Sequence, residues 1–128
     1  YAHHPTEIKF VLEGVNKVYK GYEKICIFQP HRISRLKDLK KDFTYAFKNA
    51  DKLILLPIYT AGEKISLGFK YENFAREIIK NSKVKLFLAD DRFQLAKYIK
   101  NNIYGKKIVI GMGAGTISNW MREMPKYL

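Results

Sequence analysis

The sequence predicts an α/β protein, a doubly wound, mostly parallel sheet flanked by helices on both faces. Four short apolar runs, "KICIFQ" (24–29), "LILLPIY" (53–59), "VKLFLA" (84–89) and "KIVIGM" (107–112), have the length of buried strands. Segments with apolar residues at helical spacing separate them. Strands that alternate with helices need crossovers, and crossovers give a parallel sheet covered on both sides.

Each element follows from local chemistry. Pro5 suits the first position of a helix and Glu7 its positive end, while Ile8, Val11, Leu12, Val15, Val18 and Tyr19 recur on one face. Lys17 and Lys20 suit the negative end, and Gly21 supplies a stop. After the strand 24–29, Leu36, Leu39, Phe43, Ala46, Phe47 and Ala50 mark a second helix. The run 53–59 reads as a strand, with Pro57 tolerable only near an end or edge. "YENFAREIIK" (71–80) is helical through Phe74, Ala75, Ile78 and Ile79. Past the strand 84–89, Asp90 or Asp91 caps a helix over 91–103 that turns Leu95, Ala96, Ile99 and Ile103 inward. The strand 107–112 precedes a final helix from about Thr116 to the break at Pro125. No repeat, low-complexity tract or linker interrupts the pattern, so a single Rossmann-like domain is expected over 1–128.

Composition narrows the function classes. A hydrophobic content of 47% and an aromatic content of 14% fit a packed core and argue against disorder. The longest apolar runs fall far short of the roughly 20 residues that cross a bilayer, and "YAHHPTEIKF" lacks the pattern of a signal peptide. The one cysteine, Cys26, sits inside an apolar run and reads as a small buried hydrophobe. Together these favour the cytoplasm. The net charge of +12 raises a nucleic-acid partner as one reading. The lysines are spread along the whole chain and form no single stripe, so a solvated basic surface accounts for most of the charge.

In folds of this class ligands bind at the carboxyl ends of the strands. Here those ends lead into "PHRISR", "TAGEK", "DDR" and "GAGTIS". The first helix, about 22 Å long, and the returning strand, about 20 Å, would bring His3 and His4 back near His31 and Arg32. Only five of the 24 basic residues are arginine, and two of them, Arg32 and Arg35, lie here. A guanidinium fork grips a carboxylate or phosphate through two bonds, which lysine cannot copy. The pair points to a small-anion site at a helix start, or else to a structural tie between that helix and nearby carboxylates. A metal site is not expected, because adjacent histidines point apart and no cysteine or carboxylate cluster completes a set. "GMGAG" (111–115) imitates a dinucleotide fingerprint, but that motif needs a second strand and an acidic residue about twenty positions on, so only a tight, backbone-exposing turn is supported. There is no G-x-x-x-x-G-K-[ST] phosphate loop and no Ser–His or Cys–His nucleophile arrangement. Read from its residues alone, the chain binds an anion and has no catalytic engine of its own.

"YAHHPTEIK", "FQPHRISR" 27 residues after it, "IYTAGEK" and a late "GAG" together resemble the C-terminal domain of the Mur ligases, in order and over essentially the whole chain. The resemblance is to the alanine-adding branch. The branch that attaches a recycled tripeptide shares the HHPT start but usually lacks FQPHR.

The resemblance implies a three-domain, ATP- and Mg2+-dependent enzyme of peptidoglycan precursor synthesis. Upstream domains would bind the UDP-sugar and carry the ATP phosphate loop, the magnesium ligands and a modified lysine. The reaction would join L-alanine to UDP-N-acetylmuramate through an acyl phosphate. By the same resemblance Tyr1 and His3 fall at the hinge, near nucleotide and phosphate. His31, Arg32 and Arg35 would face the amino acid and the reacting carboxylate or phosphate, and Tyr59, Gly62 and Glu63 would belong to a loop on the same rim. The acidic ATP contacts of the family lie upstream of Tyr1. The 128-residue chain by itself is therefore expected to be inactive and to hold no cofactor tightly. The other classes in play are a nucleic-acid-binding module and a stand-alone anion-binding domain of flavodoxin-like shape.

Overall fold

The computed structural model describes residues 4–30, 36, 38–58, 71–102, 105–113 and 117–123. Helix α1 (Pro5–Val18) begins on a reciprocal cap. His4 Nδ1 accepts the Thr6 N–H at 3.2 Å, and the His4 N–H donates to Glu7 Oε1 at 3.3 Å. An imidazole thus does what a hydroxyl or carboxylate usually does at this position. The inward stripe is narrower than the apolar pattern suggests. Ile8 and Leu12 are fully buried, whereas Val11, Val18 and Tyr19 are exposed. Tyr19 turns onto Tyr22, edge to face at 5.7 Å, instead of into the core.

There follow β1 (Glu23–Gln29), α2 (Lys40–Tyr45), β2 (Lys52–Leu55), α3 (Tyr71–Ser82), β3 (Lys85–Leu88), α4 (Arg92–Asn102), β4 (Lys107–Gly113) and α5 (Ile117–Glu123). The strands form one all-parallel sheet in the order β3-β2-β1-β4. Central β1 sets the register: Ile27 lies beside Ile54 on one side and Gly111 on the other.

Alternation along the strands divides the core in two. Cys26, Phe28, Leu53, Leu55 and Met112 pack with α1, α2 and α3, where Phe28 meets Phe43 at 5.8 Å and Phe47 at 5.4 Å between ring centroids. Ile25, Ile27, Ile54 and Leu56 pack with Leu95, Ala96 and Ile99 of α4 and Ile117 of α5. Burying each large apolar side chain stabilises the fold by roughly 1.5–3 kcal/mol. Burial also holds the Cys26 thiol well above its ordinary pKa, consistent with a packing role.

The boundaries have identifiable causes. The second helix is shorter than its apolar pattern because Ser82, at the end of α3, takes over its last turn. Ser82 Oγ donates to Thr44 O at 2.6 Å and accepts the Phe47 N–H at 3.2 Å. Asn81 Nδ2 adds a bond to Thr44 Oγ1 at 2.9 Å. The β2 ladder stops at Leu55, short of the expected 53–59. Leu56 N–H still reaches Phe28 O at 3.0 Å, but Pro57 has no N–H to continue the ladder. In α3, Phe74, Ala75 and Ile78 are buried, while Ile79, expected inward, is 45% exposed. Asp91 caps α4, its Oδ1 accepting the Gln94 N–H at 2.9 Å, and Asp90 N–H donates to Gln94 Oε1 at 2.8 Å.

Candidate functional site at the switch point of the sheet

The chain steps from β1 to β2 to β3 in one direction, then returns to place β4 on the other side of β1. Right-handed crossovers therefore put α2 and α3 on one face and α4 on the other. The reversal leaves a topological switch point between the carboxyl ends of β1 and β4, the position at which open α/β sheets bind ligands. Matching lengths carry α1 and β1 out and back, so the start of α1 lies toward this same end of the sheet.

Gln29, the last residue of β1, organises the rim. The residue is 3% exposed. Oε1 accepts the Ile117 N–H at 2.8 Å, and Nε2 donates to Pro57 O at 3.2 Å. One side chain thus ties the end of β1 to the exit of β2 and to the first residue of α5. Gly113 completes the join. It pairs with Gln29, has φ +127°, and a Cβ placed there would sit 2.3 Å from Gln29 O. Only glycine adopts this backbone at so close an approach. Tyr71 makes a second tie, its hydroxyl donating to Leu56 O at 2.6 Å. Burial pushes the Tyr71 phenol well above its ordinary pKa, so it remains a donor. The start of α3 is thereby held against the exit of β2.

Of the side chains that sequence reasoning proposed for the site, Tyr1, His3, His31, Arg32, Arg35, Tyr59, Gly62 and Glu63 lie outside the described residues. The structure describes the anchors on either side of them. Pro30, buried, precedes His31; Ile58 precedes Tyr59; Tyr71 closes the segment 59–70. His4 is committed to the α1 cap. Among the described residues no three His, Cys, Asp or Glu side chains gather closely enough to hold a metal ion, and no chemical step is assigned to a metal bound by them. Sequence reasoning missed Gln29 and Tyr71 as parts of the rim, and it placed Gly113 in the rim loop "GAGTIS" without its contact to Gln29. The available signal was a lone amide at the end of an otherwise apolar strand, directly before a proline.

At the opposite end of the sheet, Glu23 lies 3.1 Å from Lys52 Nζ and 3.1 Å from Lys107 Nζ, pinning the amino ends of β1, β2 and β4. Burial raises the pKa of its carboxyl, but the hydrogen bonds and charges of Lys107 and Lys52 outweigh this and hold it below the ordinary value.

The strand order defines a doubly wound α/β protein whose winding reverses between β1 and β4, where sheets of this class bind ligands. The family described as Mur ligase, glutamate ligase domain matches residues 1–115, and the chain belongs to that family. It is 70% identical, over all 128 residues, to a UDP-N-acetylmuramate–L-alanine ligase of Pelagibacter ubique, of which it covers 28%. It is 38% identical over 117 residues to the ligase of the same name from Desulfosudis oleivorans, of which it covers 26%. The chain thus spans little more than a quarter of the length of these relatives. Among solved structures, the UDP-N-acetylmuramate–alanine ligase of Thermotoga maritima superposes with a TM-score of 0.74 at 23% identity, over 98% of this chain and 25% of that one. A murein peptide ligase of Psychrobacter arcticus gives 0.77 at 17% identity, over 99% of this chain and 26% of that one. At these identities the structures establish the shared fold.

Proposed function

We propose that this chain is the C-terminal, amino-acid-presenting domain of an ATP-dependent ligase that joins L-alanine to UDP-N-acetylmuramate in peptidoglycan precursor synthesis. The observation that carries the reading is the 70% identity to a ligase of that name across every residue of the chain. The remainder of such an enzyme supplies the UDP-sugar site, the ATP phosphate loop and the Mg2+ ligands. Among the described residues no helix is long and apolar enough to cross a membrane, and we assign the enzyme to the cytoplasm, where its ATP is.

The roles are those the family resemblance implies for these motifs, and the charge of the residues supports them. Transfer of the ATP γ-phosphate to the muramate carboxylate gives an acyl phosphate. The amine of L-alanine attacks its carbonyl, the amide bond forms and phosphate leaves. His31, Arg32 and Arg35, on the segment after β1, orient the alanine carboxylate and balance charge that grows on the departing phosphate. Tyr1 and His3 belong to the hinge side of the same cleft, toward nucleotide and phosphate, and Tyr59, Gly62 and Glu63 close it from the segment after β2. Reading this rim as an anion site agrees with the placement of the switch point.

The test uses the full-length protein that contains this chain, with UDP-N-acetylmuramate, ATP and Mg2+, offered either L-alanine or the tripeptide L-alanyl-γ-D-glutamyl-meso-diaminopimelate. ADP release that depends on L-alanine, with a UDP-muramoyl-alanine product, is the expected result. Preference for the tripeptide would assign the chain to the recycling branch, and no amino-acid-dependent ADP release would remove the ligase reading.

A further inference from the structure

We infer that Gln29 is a positioning residue for the ligation, a clamp that fixes the end of β1, the exit of β2 and the start of α5 relative to one another. The inference rests on the ligase reading above. In the sequence, residues 31–35 follow the exit of β1, 59–70 follow the exit of β2, and 114–116 precede α5. The first carries His31, Arg32 and Arg35, and the second carries Tyr59, Gly62 and Glu63. Gln29 bonds to the chain at the root of each. It is itself one residue before Pro30, its Nε2 donates to Pro57 O, its Oε1 accepts the Ile117 N–H, and its own carbonyl lies against Gly113.

The chemistry of the join requires an amide. Pro57 O can only accept and the Ile117 N–H can only donate, so the bridging group must offer one donor and one acceptor at the same reach. Glutamine does so. Glutamate would set a second acceptor against Pro57 O, methionine would lose both bonds, and asparagine is one methylene too short. A buried amide bonded through both its nitrogen and its oxygen specifies one relative placement of the segments it joins, where an apolar side chain would fill the same volume and allow several. Loose placement of a reacting group costs rate steeply, and a displacement of about 1 Å is enough for a hundredfold loss.

The experiment compares Gln29→Met and Gln29→Glu with the parent, in the full-length protein for kinetics and in the same samples for amide hydrogen exchange. In Gln29→Met the Ile117 amide should exchange at least about tenfold faster, while the Ile54 amide in the central ladder keeps its protection. The kcat for joining L-alanine to UDP-N-acetylmuramate should fall by about ten- to a hundredfold. KM for the UDP-sugar, which the rest of the enzyme binds, should stay at the parent value. Gln29→Glu should keep Ile117 protected and still lose rate, because only the Pro57 bond is broken. An unchanged Ile117 exchange rate in Gln29→Met, or a parental kcat in that variant, overturns the inference and leaves the ligase reading standing. A parent that joins no L-alanine overturns the ligase reading and the role of Gln29 with it. A uniform rise in exchange across the sheet assigns Gln29 to general stability and also overturns the inference.

Discussion

Arg32 and Arg35 stand out because arginine is scarce in this chain, and Gly113 stands out for the opposite reason, that no side chain fits where it sits. With φ +127° and a virtual Cβ 2.3 Å from Gln29 O, Gly113→Ala meets both backbone strain and a clash with main chain. The variant should lose about 2–3 kcal/mol of stability, read as a lower urea midpoint at an unchanged slope. The sequence made the arginines legible through residue type alone, and "GMGAG" legible as a tight turn. It did not make Gln29 legible as a clamp, because the partners Pro57 and Ile117 lie 28 and 88 residues away. His4 was misleading at this scale. Beside His3 it reads as part of a rim cluster, yet its imidazole is spent on the first turn of α1.

Among the elements, periodicity located every strand and helix that the structure describes, and the ends needed tertiary information. No local signal says that α2 stops near Tyr45, because Ser82, at the far end of α3, supplies the bonds that end it. Ser82→Ala removes the hydroxyl from a buried Thr44 carbonyl and Phe47 amide. It should destabilise the chain by about 1–3 kcal/mol by chemical denaturation, with the α2–α3 amides losing exchange protection first. The apolar patterns of α1 and α3 also overstated burial. Val18 and Ile79 satisfy the helical spacing and remain exposed.

The Glu23 junction gives the amino ends of the strands a pH dependence whose sign is fixed. A carboxyl held below its unfolded value adds stability that is complete above about pH 4.5 and is lost as pH falls through the lower folded-state pKa. Glu23→Gln should cost about 1 kcal/mol near neutral pH and progressively less in acid, where parent and variant converge. Parallel pH–stability curves for the two would contradict the assignment.

For the whole molecule, sheet order could not be read from sequence, since alternating strands and helices fit several windings. Once the order β3-β2-β1-β4 is known, the switch point falls between β1 and β4 and selects among the four loops that the sequence offered. The segment after β1 carries the arginines, so charge and topology converge on the same place. No phosphate loop occurs anywhere in the 128 residues. The chain by itself should therefore show no magnesium-dependent ATP turnover in a coupled ADP assay, and activity should require the rest of the enzyme. The central claim is that a guanidinium fork at the β1 exit acts in amide formation, and the most direct measurement is the kcat for alanine ligation by full-length Arg32→Ala and Arg32→Lys beside the parent. The account predicts folded variants of parental stability with rates reduced by about ten- to a hundredfold in Arg32→Ala, and little rescue by lysine, whose point charge cannot grip a carboxylate through two bonds. Parental turnover in Arg32→Ala would contradict it.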